Sequence, residues 1–518
     1  MSKTAVKSII IVGGGSSGWM SALYLNHLYN QQQQNIQITL IESKDIGTIG
    51  VGEATVHSIR FFFAAMGIDE DELLKETNAT LKNGILFKNW MKPNKTGEEH
   101  QYFHPFEHVQ IDSGLDISSR WLLSGREQHE RFDQGTSLAA HLIAKGHSPK
   151  AANSRAYEGI VPYGYHLDAT LMGRYLRRKA IAAGVIHIEG KVNDVVVDNG
   201  NIKSLHTEHG EHNADVFIDC SGFKGILINQ LKADNWRSFE DALPCNRAVA
   251  MQIAYPENVT PKPYTMATAL DNGWAWEIDL VNRRGTGYVY DGNRLTKEQA
   301  EQALKEHNGV DAKILKTVHL KMNIGCREQF WLGNCITIGL SGGFIEPLES
   351  TGLHIVNLGV RLLATHLSSS QVEQSVRDSY NRLMAGVYDD LKQFIVAHYC
   401  LTDRDDTEFW RQAQKSVGYC PDLKRNLAVW NHKVCEYFDL AGGYSTTFTD
   451  ENYRFILYGM QHYPQLNMPI DLNESKQVFE KLGRRAQEVV KHTLSHQDYL
   501  QSLHDMPLTD IAAMWKVN

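Results

Sequence analysis

The feature that most restricts how this chain can fold stands at its beginning. A β-branched run, SIIIV (Ser8–Val12), is followed by the turn GGGSSGW and then by ALYLNHLYN at helical spacing. This predicts strand, glycine turn and helix, and a second strand, IQITLIE, ends at Glu42. Gly13, Gly15 and Gly18 fit the pattern G-x-G-x-x-G. Gly13 permits the tight turn, Gly15 lets the backbone approach a pyrophosphate, and Gly18 lets the helix pack on the strand. Glu42 is placed to accept hydrogen bonds from ribose hydroxyls. The flanking strand, helix and terminal acid make this a dinucleotide-binding unit, and the motif alone leaves FAD and NAD open.

At 518 residues the chain is longer than one usual core, so two lobes are expected. Lys and Arg number 52 against 60 Asp and Glu, a net charge of −8 with no basic block, which argues against nucleic acid as a partner. The seven cysteines are scattered and show no CxxC spacing. That reads as reduced thiols, neither a disulfide scaffold nor a metal site. No signal-peptide pattern and no membrane-spanning apolar run is seen, so a soluble cytoplasmic protein is expected.

Further along, IGTIGVGEATVHSI is a glycine-rich loop suited to backbone contact with a flat ligand. The segment ATLKNGILFKNW carries Lys82, which locally looks as ordinary as Lys75 or Lys88. YFHPF (Tyr102–Phe106) reads either as a core patch or as an aromatic pocket wall. Residues from about 100 to 155 read as an insertion covering the cofactor domain. GYHLDATLMGRYLRRKAIAAG is a helix with Asp168 near its start, and DVFIDCSGFKGILI is a buried strand of the kind that returns to a dinucleotide sheet. DNGWAWEIDL and GTGYVYDG read as strands of an antiparallel sheet. FIEPLESTG (Phe344–Gly352) reads as a rigid turn that follows a strand-like run, CITIGL (Cys335–Leu340), and precedes LHIVNLGVRLLATHL, an amphipathic helix. The first amides of that helix would suit a small anion, or the turn is an ordinary helix cap. From 361 onward the pattern is mainly helical, expected as a lobe closing a substrate pocket over a core of residues 1–360.

Over nearly its whole length the chain resembles the flavin-dependent halogenases of the tryptophan-halogenase family. The resemblance rests on GGGSSG, GVGEAT, ATLKNGILFKNW, YFHPF, DCSGFKG, WAWEI and FIEPLESTG, in that order. It implies an α/β fold with an FAD-binding domain like those of glutathione reductase and hydroxybenzoate hydroxylase, an antiparallel substrate sheet and a mainly helical C-terminal lobe. It also implies an enzyme that uses reduced FAD, supplied by a separate flavin reductase, O₂ and chloride or bromide to make hypohalous acid for an electron-rich aromatic substrate. The family's catalytic lysine falls on Lys82 and its active-site glutamate on Glu349. The halide-binding amides fall on Thr351 and Gly352. FAD contacts fall on Gly13, Gly15, Ser16, Gly18, Glu42, Gly52, Glu53, Ala54, Val192, Leu340 and Leu353. A homodimer is a further family expectation, and no metal is expected.

Two departures bear on the substrate. The family's W-x-W-x-I-P signature ends here in Asp279 instead of proline. The late region GGYSTTFTDENYRFILYGMQHYP has Tyr444, Phe448, Glu451, Tyr453 and Phe455 but lacks the Tyr-Tyr and Phe-Trp pairs of tryptophan-specific members. His104, Phe106, Phe448 and Tyr453 are the expected substrate contacts, and an indole-type ring is favoured over free tryptophan. The rival readings are a free-tryptophan halogenase, an FAD-dependent aromatic monooxygenase that would not need Lys82, and a flavin-binding protein without activity.

Overall fold

The computed structural model describes residues 6–30, 35–44, 52–108, 111–112, 115–127, 131–151, 153–256, 259–367, 372–440 and 447–505. The glutamine run 31–34, the 45–51 part of the glycine-rich loop, and Tyr444 lie outside these residues.

The opening motif forms the strand Ser8–Val12, the helix Ser16–Asn30 and the strand Gln37–Glu42. Ser8–Val12 pairs in parallel with Gln37–Glu42 on one side and Val216–Asp219 on the other. Ile186–Glu189 extends the sheet on one flank, and Cys335–Thr337 with the antiparallel Trp331–Leu332 on the other. The central strands are apolar on both faces, as a covered parallel sheet requires. Ile9 and Ile11 enter the main core on the helix side, whereas Ile10 and Val12 join Ile41, Phe217 and Leu205 on the other face.

Two of the glycines are fixed by geometry. Gly13 has φ +118°, and a Cβ there would stand 2.3 Å from the Cys220 carbonyl oxygen. A Cβ on Gly18 would stand 1.8 Å from the Gly13 carbonyl oxygen. Gly15 differs: its Cβ would meet nothing within 4 Å.

A seven-stranded sheet runs in the order Ile314–Lys321, Arg247–Ala254, Arg283–Tyr290, Gly273–Asp279, Thr265–Leu270, Gly84–Lys88, Gln101–Pro105. Every neighbouring pair is antiparallel except Thr265–Leu270 with Gly84–Lys88. The segment 100–155 is therefore more than a cover, because Gln101–Pro105 is the edge strand of this sheet. A small sheet of Gly52–Ala54, Gly164–Asp168 and Thr80–Lys82 carries Lys82.

The C-terminal third is mainly helical, with Gln374–Cys400, Asp450–Gly459 and Leu472–His492 the long elements. It does not close on a core of its own. One hydrophobic cluster runs from Ile9 to Leu503, Thr493–Ser495 pairs with His147–Ala151, and the expected division at 360/361 falls inside the helix Gly352–His366. All seven cysteines are free thiols, six of them buried. Among the described residues no helix is long and apolar enough to cross a membrane.

Gly13→Ala adds left-handed strain and a backbone clash, and should destabilise the apoprotein by about 2–4 kcal/mol. Gly15→Ala meets open space and should leave stability within about 0.5 kcal/mol. Thermal unfolding of the two variants checks this; equal midpoints would contradict the assigned turn geometry.

Candidate active site

The turn after Phe344 is built in two steps. Pro347–Glu349 forms one 3-10 turn, and Ser350 then takes a left-handed conformation, φ 59° and ψ 34°. For a residue other than glycine that costs on the order of 1 kcal/mol and needs outside support. The support includes Lys82, whose Nζ donates to Ser350 Oγ at 2.7 Å. The chain then enters the helix Gly352–His366, whose Thr351 side chain makes no capping hydrogen bond. Thr351 is buried while Gly352 is exposed, and the first helical amides have no capping hydrogen bond from the Thr351 side chain. Glu53 Oε1 lies 3.4 Å from where a Gly352 Cβ would stand. Burial pushes the Glu53 carboxyl up to about 7, which lessens the negative charge beside this helix start.

Lys82 is fully buried. Besides Ser350, its Nζ donates to the Thr55 carbonyl oxygen at 3.1 Å and lies 5.2 Å from the Phe106 ring centre. Burial lowers it to about 7, against the pull of the Glu349 charge. The two lysines that looked alike in sequence are placed otherwise. Lys75 lies in the last turn of the helix Glu70–Glu76, and Lys88 pairs with Glu99 at 3.2 Å.

Glu349 is buried as well, and burial alone would raise its carboxyl. Two histidines outweigh burial and hold it at about 2. His104 Nδ1 donates to both carboxylate oxygens at 3.0 Å, and His398 Nε2 reaches Oε1 at 2.9 Å. The Asn452 side-chain amide donates to His104 Nε2 at 2.9 Å, which fixes the tautomer that presents Nδ1–H to Glu349.

A second carboxylate, Glu346, lies on the same turn. The Trp274 indole N–H and the Tyr399 hydroxyl both donate to its Oε2, at 3.1 and 2.9 Å, and burial raises its carboxyl to about 7. His398 and Tyr399, consecutive on one helix, thus engage the two glutamates separately. Sequence reasoning missed Glu346, His398, Tyr399 and Asn452. Of these only Glu346 left a trace, as a second carboxylate three residues before Glu349.

The expected aromatic contacts fall into two groups. Phe448 stacks on Phe394 at 3.9 Å between ring centres, Tyr453 meets Phe394 edge-on at 4.9 Å, and His104 lies 6.1 Å from Phe448. Phe106 sits apart from them, against Lys82 and against the His57 ring at 5.4 Å. Trp274 and Trp276 are 6.1 Å apart. Asp279, in place of the signature proline, accepts from Arg284 at 2.6 Å and from the Lys262 amide at 3.0 Å.

The residues of the opening motif fit a dinucleotide. Gly15 lies open beside Ser16, which begins the helix. Glu42 Oε1 is buried near His187 (3.0 Å) and Arg177 (3.4 Å), yet has no well-directed hydrogen bond among the described residues. That leaves an acceptor for a ribose hydroxyl. Val192 is half-buried against the sheet face that carries Ile41, and two residues earlier the Gly190 N–H donates to the Glu42 carbonyl oxygen. Gly52 packs against Ile278, and Ala54 ends the same short strand. Leu340 is half-buried in the turn Gly339–Ser341, and Leu353 is buried just past Gly352.

The family model for tryptophan halogenase matches residues 8–474. A tryptophan 6-halogenase from Streptomyces toxytricini, SttH, is 37% identical over 449 residues, covering 82% of this chain and 83% of the relative. The crystal structure of a tryptophan halogenase from Shewanella frigidimarina superposes with a TM-score of 0.90 at 30% identity, covering 97% of this chain and 98% of that one. BrvH, a flavin-dependent halogenase from Brevundimonas, gives 0.86 at 30% identity, with 96% and 99% covered. The chain belongs to the tryptophan-halogenase family of flavin-dependent enzymes.

Proposed function

We propose that this enzyme makes hypohalous acid and relays its halogen through Lys82 to an electron-rich, indole-type aromatic ring. The observation that carries this reading is the contact between the buried Lys82 Nζ and Ser350 Oγ, one residue from the uncapped helix start and one from Glu349. FAD, reduced by a separate flavin reductase, would supply together with O₂ the power to oxidise a halide. Thr351 and Gly352 amides would hold that chloride or bromide, as helix starts hold small anions. Lys82 would take up the oxidant either by a hydrogen bond from its ammonium or as an N–halogen amine, and present the halogen to the ring. Glu349, ionised and rigid between His104 and His398, would stabilise the cationic ring and help remove its proton. The WAWEI strand would stand between the flavin and substrate sides.

His104, Phe106, Phe448 and Tyr453 would contact the ring. The missing Tyr-Tyr and Phe-Trp pairs favour an indole without the amino-acid backbone. The relatives' names, tryptophan halogenases, favour free tryptophan as a second reading.

The deciding experiment is a mass-spectrometric product screen with FAD, a generic flavin reductase, NADH, O₂, catalase and either chloride or bromide, with indole and tryptophan in competition. A halogen isotope pattern on indole, absent with Lys82→Ala, is the expected result. Halogenated tryptophan alone would transfer the assignment to the second reading. Addition of one oxygen that persists in the variant would replace halogenation by monooxygenation.

Lys82 also links stability to pH. Its amine sits near 10.5 when exposed and about 7 when buried. Between those values the unfolded chain binds the extra proton, so wild-type stability rises with pH. Below about pH 7 both states are protonated and the full cost of the buried ammonium remains. Lys82→Met should therefore gain most over wild type at about pH 6.5 and progressively less towards about pH 9.5. A gain that is flat in urea midpoints across that range would contradict the lowered amine.

A further inference from the structure

The strand that carries Lys82 is short and lies at a sheet edge. Thr80–Lys82 has three residues and pairs on one side only, with Gly164–Asp168. Its outward-facing groups need acceptors inside a dry interior. The chain around it is tied at several points: the Thr80 hydroxyl donates to the Asp279 carbonyl oxygen at 2.6 Å, and Asn83 N–H donates to the Pro263 carbonyl oxygen at 2.8 Å. The remaining amide, that of Leu81, donates to a side chain, His496 Nε2, at 3.1 Å.

His496 is fully buried and opens the helix His496–Asp505. Its Nδ1–H donates to the Pro261 carbonyl oxygen at 2.9 Å, which leaves Nε2 as the acceptor that Leu81 requires. Its own backbone N–H donates to the Gly146 carbonyl oxygen at 2.8 Å. The ring is thus locked in orientation and tautomer between two loops and the strand. Burial lowers it to about 4, so the neutral imidazole with its free Nε2 lone pair persists across the neutral range. The residue lies beyond position 474, where the match to the family model ends.

We propose that His496 is a positioning residue for Lys82. By accepting the Leu81 amide it sets the height and direction from which the next side chain reaches the Ser350 turn. This rests on Lys82 being the group that relays the halogen. Relay from a freely diffusing oxidant depends on sub-ångström placement of the amine, whereas making the oxidant does not depend on Lys82. Loss of the acceptor should therefore separate the two halves of the reaction.

The test uses the full-length FAD-loaded enzyme with a flavin reductase, bromide, indole and a soluble small-molecule trap for hypohalous acid. It follows O₂ consumed, halogenated trap and halogenated indole. His496→Ala should form total oxidant within about twofold of wild type while indole product per oxidant falls about tenfold and the trap gains the difference. His496→Gln, whose Oε1 replaces the Nε2 acceptor, should recover product to within about threefold of wild type. Wild-type partition in His496→Ala, or a His496→Gln variant no better than His496→Ala, overturns the proposal. If His496→Ala does not fold, His496→Gln is compared with His496→Leu on the same readout. Lys82→Ala is run in parallel. Retention of halogenated indole there brings down the relay itself, whereas its loss there beside an unaffected His496→Ala brings down only the role of His496.

Discussion

The molecule depends on keeping one carboxylate ionised where burial shuts it off from bulk solvent. Glu349 is buried, and an unmatched charge at that depth would take up a proton instead. It stays charged because His104 arrives from the sheet edge and His398 from the helix Gln374–Cys400, both within 3.0 Å. Those contacts join the C-terminal helices to the sheet core through one side chain. The two halves also share one hydrophobic cluster that runs from Ile9 to Leu503. Lys82 feels the opposite pressure: burial strips its proton more easily, and Glu349 only partly restores it. A charged acid and a readily deprotonated amine on opposite sides of one turn follow from this uneven sharing of partners.

The parts legible in the sequence were those whose cause is local. Gly13 is demanded by a positive φ and by the Cys220 carbonyl, and Gly18 by its contact with Gly13. Both constraints lie within a few residues of the motif or on the adjoining strand, so spacing reveals them. The helix at Gly352 was likewise visible as an amphipathic stretch after a rigid turn, whereas the left-handed Ser350 inside that turn was not. His398 was not visible, because a histidine in the buried last turns of a long helix gives no hint of which carboxylate it will meet 49 positions away. The sheet strand inside 100–155 was hidden for a similar reason: the pairing of Gln101–Pro105 with Gly84–Lys88 is set by the tertiary sheet and not by local propensity. Asp279 shows compensation, since the acid that replaces a signature proline is answered by Arg284 and the Lys262 amide.

The aromatic region shows why substrate class is harder to read than reaction class. The proposed reaction calls on a lysine, a carboxylate and a helix start, and these are few and specific. Ring recognition needs only flat apolar walls, which many residues can supply. Phe394, absent from every motif, is the ring on which Phe448 and Tyr453 converge, so the wall is assembled by packing between helices and not by a string of neighbouring residues.

The seven free thiols acquire meaning beside this chemistry. Electrophilic halogens attack thiolates far faster than they halogenate a ring, so a protein of this family works next to a hazard to itself. Burial pushes every one of these thiols upward, Cys326 to about 11 and Cys400 to about 12, with Cys220, Cys245, Cys335, Cys420 and Cys435 raised as well. None is poised as a nucleophile, and six are shut away from solvent. The same burial that lowers the Lys82 amine thus keeps these thiols protonated, the form of sulfur that an electrophile attacks least readily.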